Sequence, residues 1–279
     1  MKVAVLGSGA GALAVAADMC RHGRHTVMAD LDDKWDDERA NERTDERDDL
    51  EPVRAAGSIT VTAARPGDGE GDGGDQQDDD GPGTSDRRTR TYPVDVADSV
   101  SEALAGAELV VVVAPCDAHQ RWARAIAPHA TQDHTVLLVG EGGGAIVARR
   151  SIEPPTVVAE TNTLPHRARA TGPATVDVTA KRGGVLVASL PAISPDTARV
   201  MELIGDVWPQ AAATDTVWTT VLTSYDALEA AATGAAGAAD TDAVEAADAE
   251  LRALRQALFS RESRSYDEFR TAQGLTPDT

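Results

Sequence analysis

Six residues near the start of the chain, Gly7-Ser8-Gly9-Ala10-Gly11-Ala12, have the types and spacing that bring a backbone against phosphate. Gly7 permits a tight turn, Gly9 removes the Cβ that would keep a pyrophosphate away, and Ala12 is small enough for close packing of helix on strand. The context is the required one, because the apolar run Lys2 to Leu6 predicts a strand and the alanine-rich run Ala10 to Cys20 predicts a helix. Helix-start amides at Ser8 and Gly11 then face the ligand. Asp30 closes the next predicted strand, Thr26 to Ala29, 19 positions after Gly11. A carboxylate there accepts hydrogen bonds from both hydroxyls of an adenine ribose and repels a 2′-phosphate, so the expected cofactor is NAD, with NADP less favoured. Asp32 is an alternative for that role, and a solvated strand-end aspartate is the plain alternative to it.

A second group of candidates follows the β-branched run Leu109 to Ala114, which has the pattern of a strand buried on both faces. Pro115, Cys116 and His119 come directly after it, at the sheet edge where open α/β sheets bind ligands. Pro115 joins the expected cofactor contacts, and His119 is a candidate proton donor or nicotinamide-orienting group. Gly140-Glu141-Gly142-Gly143-Gly144 forms a turn after the next predicted strand, Thr135 to Val139. Glu160, Thr161 and Asn162 form a polar cluster at the end of another, Thr156 to Ala159, and Arg169 carries a planar fork suited to a carboxylate. The expected catalytic set is His119, Glu160, Asn162 and Arg169.

These blocks, in their order, resemble the octopine/nopaline (opine) dehydrogenase family. The resemblance rests on Val112 to His119, on Ala127-Pro128-His129, on the turn Gly140 to Ala145, and on Ala159 to Arg169, which is similar to that family's Glu-Thr-…-Leu-Pro-Tyr-x-x-Arg block. Val178 to Ala192 is similar to the strands that follow it. The resemblance implies a two-domain oxidoreductase in which an amino acid and an α-keto acid condense to an imine that NAD(P)H reduces. It also implies a histidine at the start of a helical domain, in an Asn-x-x-His-Pro-like segment. Here the matching stretch is Thr223 to Ala231, alanine stands in that place, and no histidine occurs after His166. The alternatives are a catalytically impaired dinucleotide-binding sensor or regulator, and another two-domain 2-keto or 2-hydroxy acid reductase such as a ketopantoate or glycerol-phosphate reductase. The block Glu160 to Arg169 argues against the last.

The elements that must position these residues alternate strand and helix, which predicts an α/β chain with a doubly wound, mainly parallel sheet of the Rossmann type over residues 1–212. Helices are expected near Asp98 to Ala105, Asp117 to Ala127 and Pro195 to Gly205, and further strands at Thr175 to Thr179 and Val185 to Ser189. After residue 212 the pattern turns helical, predicting a small substrate or dimerisation domain over 213–279 and a homodimer built through it. Residues 32–49 and 66–90 are acidic, low-complexity insertions, the second expected to be a surface loop.

The chain of 279 residues has a formal charge of −20, which argues against nucleic acid and anionic membranes as partners. Lysine occurs only at Lys2, Lys34 and Lys181, and with the surplus of aspartate this composition resembles cytoplasmic proteins of salt-accumulating halophiles. The short apolar runs and direct entry into a strand lead to the expectation of a cytoplasmic protein without a leader or membrane span. Cys20 and Cys116 have no metal-like spacing, so two free thiols and no metal site are expected.

Overall fold

The computed structural model describes residues 1–31, 50–63, 87–140, 142–192 and 194–223. Five strands come early: β1 (Lys2–Leu6), β2 (His25–Ala29), β3 (Ser58–Ala63), β4 (Arg88–Pro93) and β5 (Asp95–Val96), with helices α1 (Ala10–Arg21) and α2 (Glu51–Ala56) among them. Then follow α3 (Val100–Leu104), β6 (Leu109–Val113), α4 (His119–Ile126), β7 (Thr135–Val139), α5 (Gly144–Ala148) and β8 (Val157–Thr161). The last are β9 (His166–Gly172), β10 (Thr175–Lys181), β11 (Val185–Ser189), α6 (Ser194–Ile204), β12 (Ala211–Ala213) and α7 (Val217–Leu222).

The main sheet has eight strands in the order β12-β11-β8-β7-β6-β1-β2-β5. Its pairs are parallel from β5 through β8; β11 then runs antiparallel to β8 and carries β12 parallel to itself. The chain leaves β1 toward β2 on one side and returns through β6 on the other. That reversal opens a crevice outside the carboxyl ends of β1 and β6, the place where doubly wound sheets bind ligands. Both faces of the sheet are covered, one by α1 and α6, the other by α3, α4 and α5. This double burial explains why β6 is Leu-Val-Val-Val-Val without alternation.

A second sheet of four strands, β4-β3-β10-β9, lies over α1. The helix is therefore packed on two opposite sides, and Ala12 through Met19 are all buried. Small alanines let both sheets approach its backbone. The same composition blurs the one-sided pattern that an ordinary surface helix shows.

The expected strands match β1, β2, β6, β7, β8, β10 and β11 and four of the expected helices match α1, α3, α4 and α6 within a few residues, whereas the short β5 and β12 and the second-sheet strands β3, β4 and β9 were not foreseen. β4 begins at Arg88, so the last three residues of the 66–90 tract are strand, which corrects the expectation of a loop there. Its outward face is made of cross-strand threonine pairs, Thr60 with Thr91 and Thr62 with Thr89. β9 and β10 deviate from a strict period of two through two register shifts. Near the expected boundary at 212, β12 extends the main sheet to Ala213 and α7 packs on β8 and β11. From residue 224 on, the foreseen helical domain falls outside the described residues, as do residues 32–49 and 64–86.

Candidate functional site

The first half of the site is a glycine cradle. β1 ends at Leu6, and the Gly7 amide donates to the Ala29 carbonyl at 2.9 Å, splicing the loop onto β2. Gly7 has φ +126°, and a Cβ there would stand 2.3 Å from the Val113 carbonyl oxygen at the end of β6. Glycine is required on both counts. Gly9 starts α1 with an extended backbone, no side chain caps it, and the first turn holds no acid. The positive end of the helix thus faces the crevice without a competing carboxylate of its own first turn. A Cβ on Gly11 would meet Leu164 and Val113 at 3.3 Å, and Ala12 is fully buried.

Asp30 lies just past β2, level with this loop. One carboxylate oxygen accepts from the Ser8 hydroxyl and the other from the Leu31 amide at 2.8 Å. Ser8 therefore joins the glycine loop to the acid that the sequence assigned to the ribose. Pro115 is exposed beyond β6, and its carbonyl accepts from the Ala118 amide at 2.9 Å. Cys116 opens the short 3₁₀ turn there, Cys116–Ala118. The residues present fit a dinucleotide: a cradle without Cβ atoms, an open helix start and a carboxylate placed beside them.

The second half brings two of the four expected catalytic residues, His119 and Glu160, to the glycine turn after β7, and sets Asn162 at the end of α7. His119 is buried at the start of α4; its Nε2 lies 3.0 Å from the Ala114 carbonyl. A carbonyl only accepts, so Nε2 carries the proton. The imidazole abuts Gly144, where a Cβ would come within 2.7 Å of Nδ1. Glu160 is fully buried. Its carboxyl meets the Gly143 amide at 3.0 Å, the Ala145 amide at 2.7 Å and the hydroxyl of Thr220. Burial raises its proton affinity above the usual carboxylate range, against the opposing effect of Thr220 and the two amides. Asn162 accepts from the Leu186 amide at 2.8 Å and donates at 3.4 Å toward the carbonyls of Gly184 and Thr223. It ties β8 to β11 and to the end of α7.

Gly142 completes this half. A Cβ there would stand 2.5 Å from Val221 Cα and 2.7 Å from the Thr220 carbonyl oxygen, so α7 lies directly on the turn. Glu141 lies outside the described residues.

Arg169 is placed apart from this group. It sits on β9 in the second sheet, where it and Arg87 flank the buried Asp177. Sequence reasoning missed Thr220, whose role depends on a chain reversal of 60 residues. It also missed a buried link between Asp18 on α1 and His166 on β9, reinforced by Arg21 at 2.9 Å. A lone aspartate inside the otherwise apolar turns of α1 was the available signal. Among the described residues no group of three or more His, Cys, Asp or Glu side chains is arranged to hold a metal, and Cys20 is a free thiol. No described helix is long and apolar enough to cross a membrane.

No family model matches the chain. It is 29% identical over 142 residues to an opine dehydrogenase of Arthrobacter sp. (strain 1C), a stretch that covers 49% of this chain and 39% of that protein. Among solved structures it is similar to octopine dehydrogenase in complex with NADH and agmatine, with a TM-score of 0.61 and 17% identity over 84% of this chain and 53% of that one. Apo yersinopine dehydrogenase gives 0.65 at 12% identity, covering 99% of this chain and 68% of that one. A PanE/ApbA family ketopantoate reductase from Ralstonia eutropha JMP134 gives 0.59 at 16% identity, covering 99% and 87%. The chain thus spans about half the length of the octopine dehydrogenase it matches, and it has the α/β fold that these dehydrogenases and reductases share. Over the matched stretch the chain is similar in sequence to an opine dehydrogenase, and over the described residues it has the fold of octopine dehydrogenase.

Proposed function

We propose that the protein is an NAD(P)-dependent oxidoreductase of the opine dehydrogenase type, with NADH as its preferred cofactor. The observation that carries this reading is the coupling of the glycine cradle to Asp30 through Ser8 at the crevice between β1 and β6. The backbone of Gly7, Gly9, Gly11 and Ala12 holds the pyrophosphate, Asp30 takes the ribose hydroxyls, and Pro115 flanks the nicotinamide side. When bound, the cofactor supplies a hydride to an imine carbon formed from an amino acid and an α-keto acid. His119, Glu160 and Asn162 build the wall of that side by fixing Ala114, the glycine turn and the ends of β11 and α7. Arg169, engaged by Asp177 in the second sheet, would have to leave that partner to meet a substrate carboxylate. The experiment is a turnover assay in which NADH oxidation is followed with paired amino acids and keto acids. Oxidation that requires both partners supports the reading, and oxidation with a keto acid alone supports a simple 2-keto acid reductase instead.

A second reading is favoured by one specific feature. The chain has no histidine after His166, and alanine stands where the resemblance calls for that histidine. A dinucleotide-binding sensor would bind NADH through the same cradle and show no turnover across the panel.

A further inference from the structure

The Thr220 hydroxyl has more acceptors against it than protons to give. The Thr220 hydroxyl lies against Glu160 Oε1 and also 2.6 Å from the Val217 carbonyl oxygen. A hydroxyl has one proton, so Thr220 can donate to only one of them. If Glu160 were ionised, one of the two oxygen pairs would be left in contact with no proton between them, in a site where both residues are fully buried. Buried polar contacts of that kind are costly. A proton on Glu160 resolves the count. Its O–H donates to Thr220, the Thr220 O–H donates to Val217, and Oε2 is free to accept from the Gly143 and Ala145 amides at 3.0 and 2.7 Å.

The surroundings suit a neutral acid. The residues beside Glu160 in register are Leu138 on β7 and Ala188 on β11. α5 offers amides and α7 offers a hydroxyl; of the titratable side chains on the adjoining α4, His119, Arg121 and Arg124, it is His119 that meets the turn at Gly144. The groups acting on the carboxyl are burial, Thr220 and the two amides, with no cation among them.

We propose that Glu160 is a neutral carboxylic acid that acts as a positioning residue: the proton chain from Glu160 through Thr220 to Val217 clamps α7 onto the glycine turn 142–144 and so sets the wall beside the cofactor. Its effect on cofactor binding rests on the function proposed above, whereas its protonation state and its hold on α7 do not.

The test uses the full chain and four variants, Glu160→Gln, Glu160→Ala, Thr220→Val and Thr220→Ser. Infrared difference spectra between wild type and Glu160→Gln at neutral pH should contain the carbonyl band of one buried protonated carboxyl, and that band should disappear at high pH. Gln keeps an acceptor for the amides and a donor for Thr220, so Glu160→Gln should retain the wild-type Tm within a few degrees. Glu160→Ala and Thr220→Val should lower Tm, and Thr220→Ser should restore it. Absence of the protonated-carboxyl band at neutral pH, or a Glu160→Gln variant as damaged as Glu160→Ala, overturns the proposal. Should wild type fail to bind NADH, the function proposed above falls, and the infrared band and the Tm series still decide this one.

Discussion

With one oxygen accepting from Ser8 and the other from the Leu31 amide, the Asp30 carboxylate is held at the end of β2, where its charge would repel a 2′-phosphate. Hydrogen bonds to a charged acceptor contribute about 1.5–3 kcal/mol, so Asp30→Ala should weaken NADH roughly ten- to hundredfold and NADPH far less. Calorimetric titration with both cofactors checks this, and equal losses for the two would remove Asp30 from the ribose site. Gly9→Val places a branched side chain at the uncapped start of α1 and should abolish binding of either dinucleotide while the fold stays intact by circular dichroism. At this scale the cradle was legible in the sequence because strand, turn and helix follow one another within about fifteen residues. The partners of Glu160 and Arg169 were not. Thr220 meets Glu160 through packing of a distant helix, and Asp177 meets Arg169 through the register of β9 on β10.

α1 is the element on which both halves of the molecule depend. It carries the phosphate-facing turn at one end, and through Asp18 and His166 it is fastened to the second sheet further along. His166, Arg21 and Lys181 together hold the Asp18 carboxyl below its usual range, against the opposing effect of burial. A depressed carboxylate contributes stability that is fully present above its unfolded value and is lost as pH falls through its lowered folded value. Glu160 has the opposite sign: its raised affinity contributes stability at low pH that is lost as pH rises through its folded value. Chemical denaturation across a pH series should therefore show Asp18→Asn flattening the acid side of the profile and Glu160→Gln flattening the alkaline side. Gly142→Ala is the matching steric prediction. The added methyl would strike Val221 and Thr220, so the variant should lose on the order of 1–3 kcal/mol and show faster amide exchange in α7. The main strands were legible because burial on two faces leaves unbroken β-branched runs, as in β6. β3, β4 and β9 were not: threonines and exposed arginines interrupt the apolar pattern of β3 and β4, and register shifts against β10 break the alternation of β9.

For the whole molecule, the reversal of strand order at β1 and β6 opens the crevice to which we assign the proposed dinucleotide site. The α/β class was read from the alternation of strand and helix patterns, while the charge of −20 argues against polyanionic partners by repulsion. Association is a further proposal at this scale. Trp218 is exposed on α7, within the stretch 213–270 through which we propose a homodimer. Light scattering should then give twice the mass of the 29.1 kDa chain, and a monomer across the working concentration range would remove the dimer.

The central claim is the dinucleotide site, and titration calorimetry of the full chain with NADH tests it most directly. Saturable one-site binding is expected, abolished by Gly9→Val and weaker for NADPH. Absence of heat with either cofactor, or binding that Gly9→Val leaves unchanged, would contradict it.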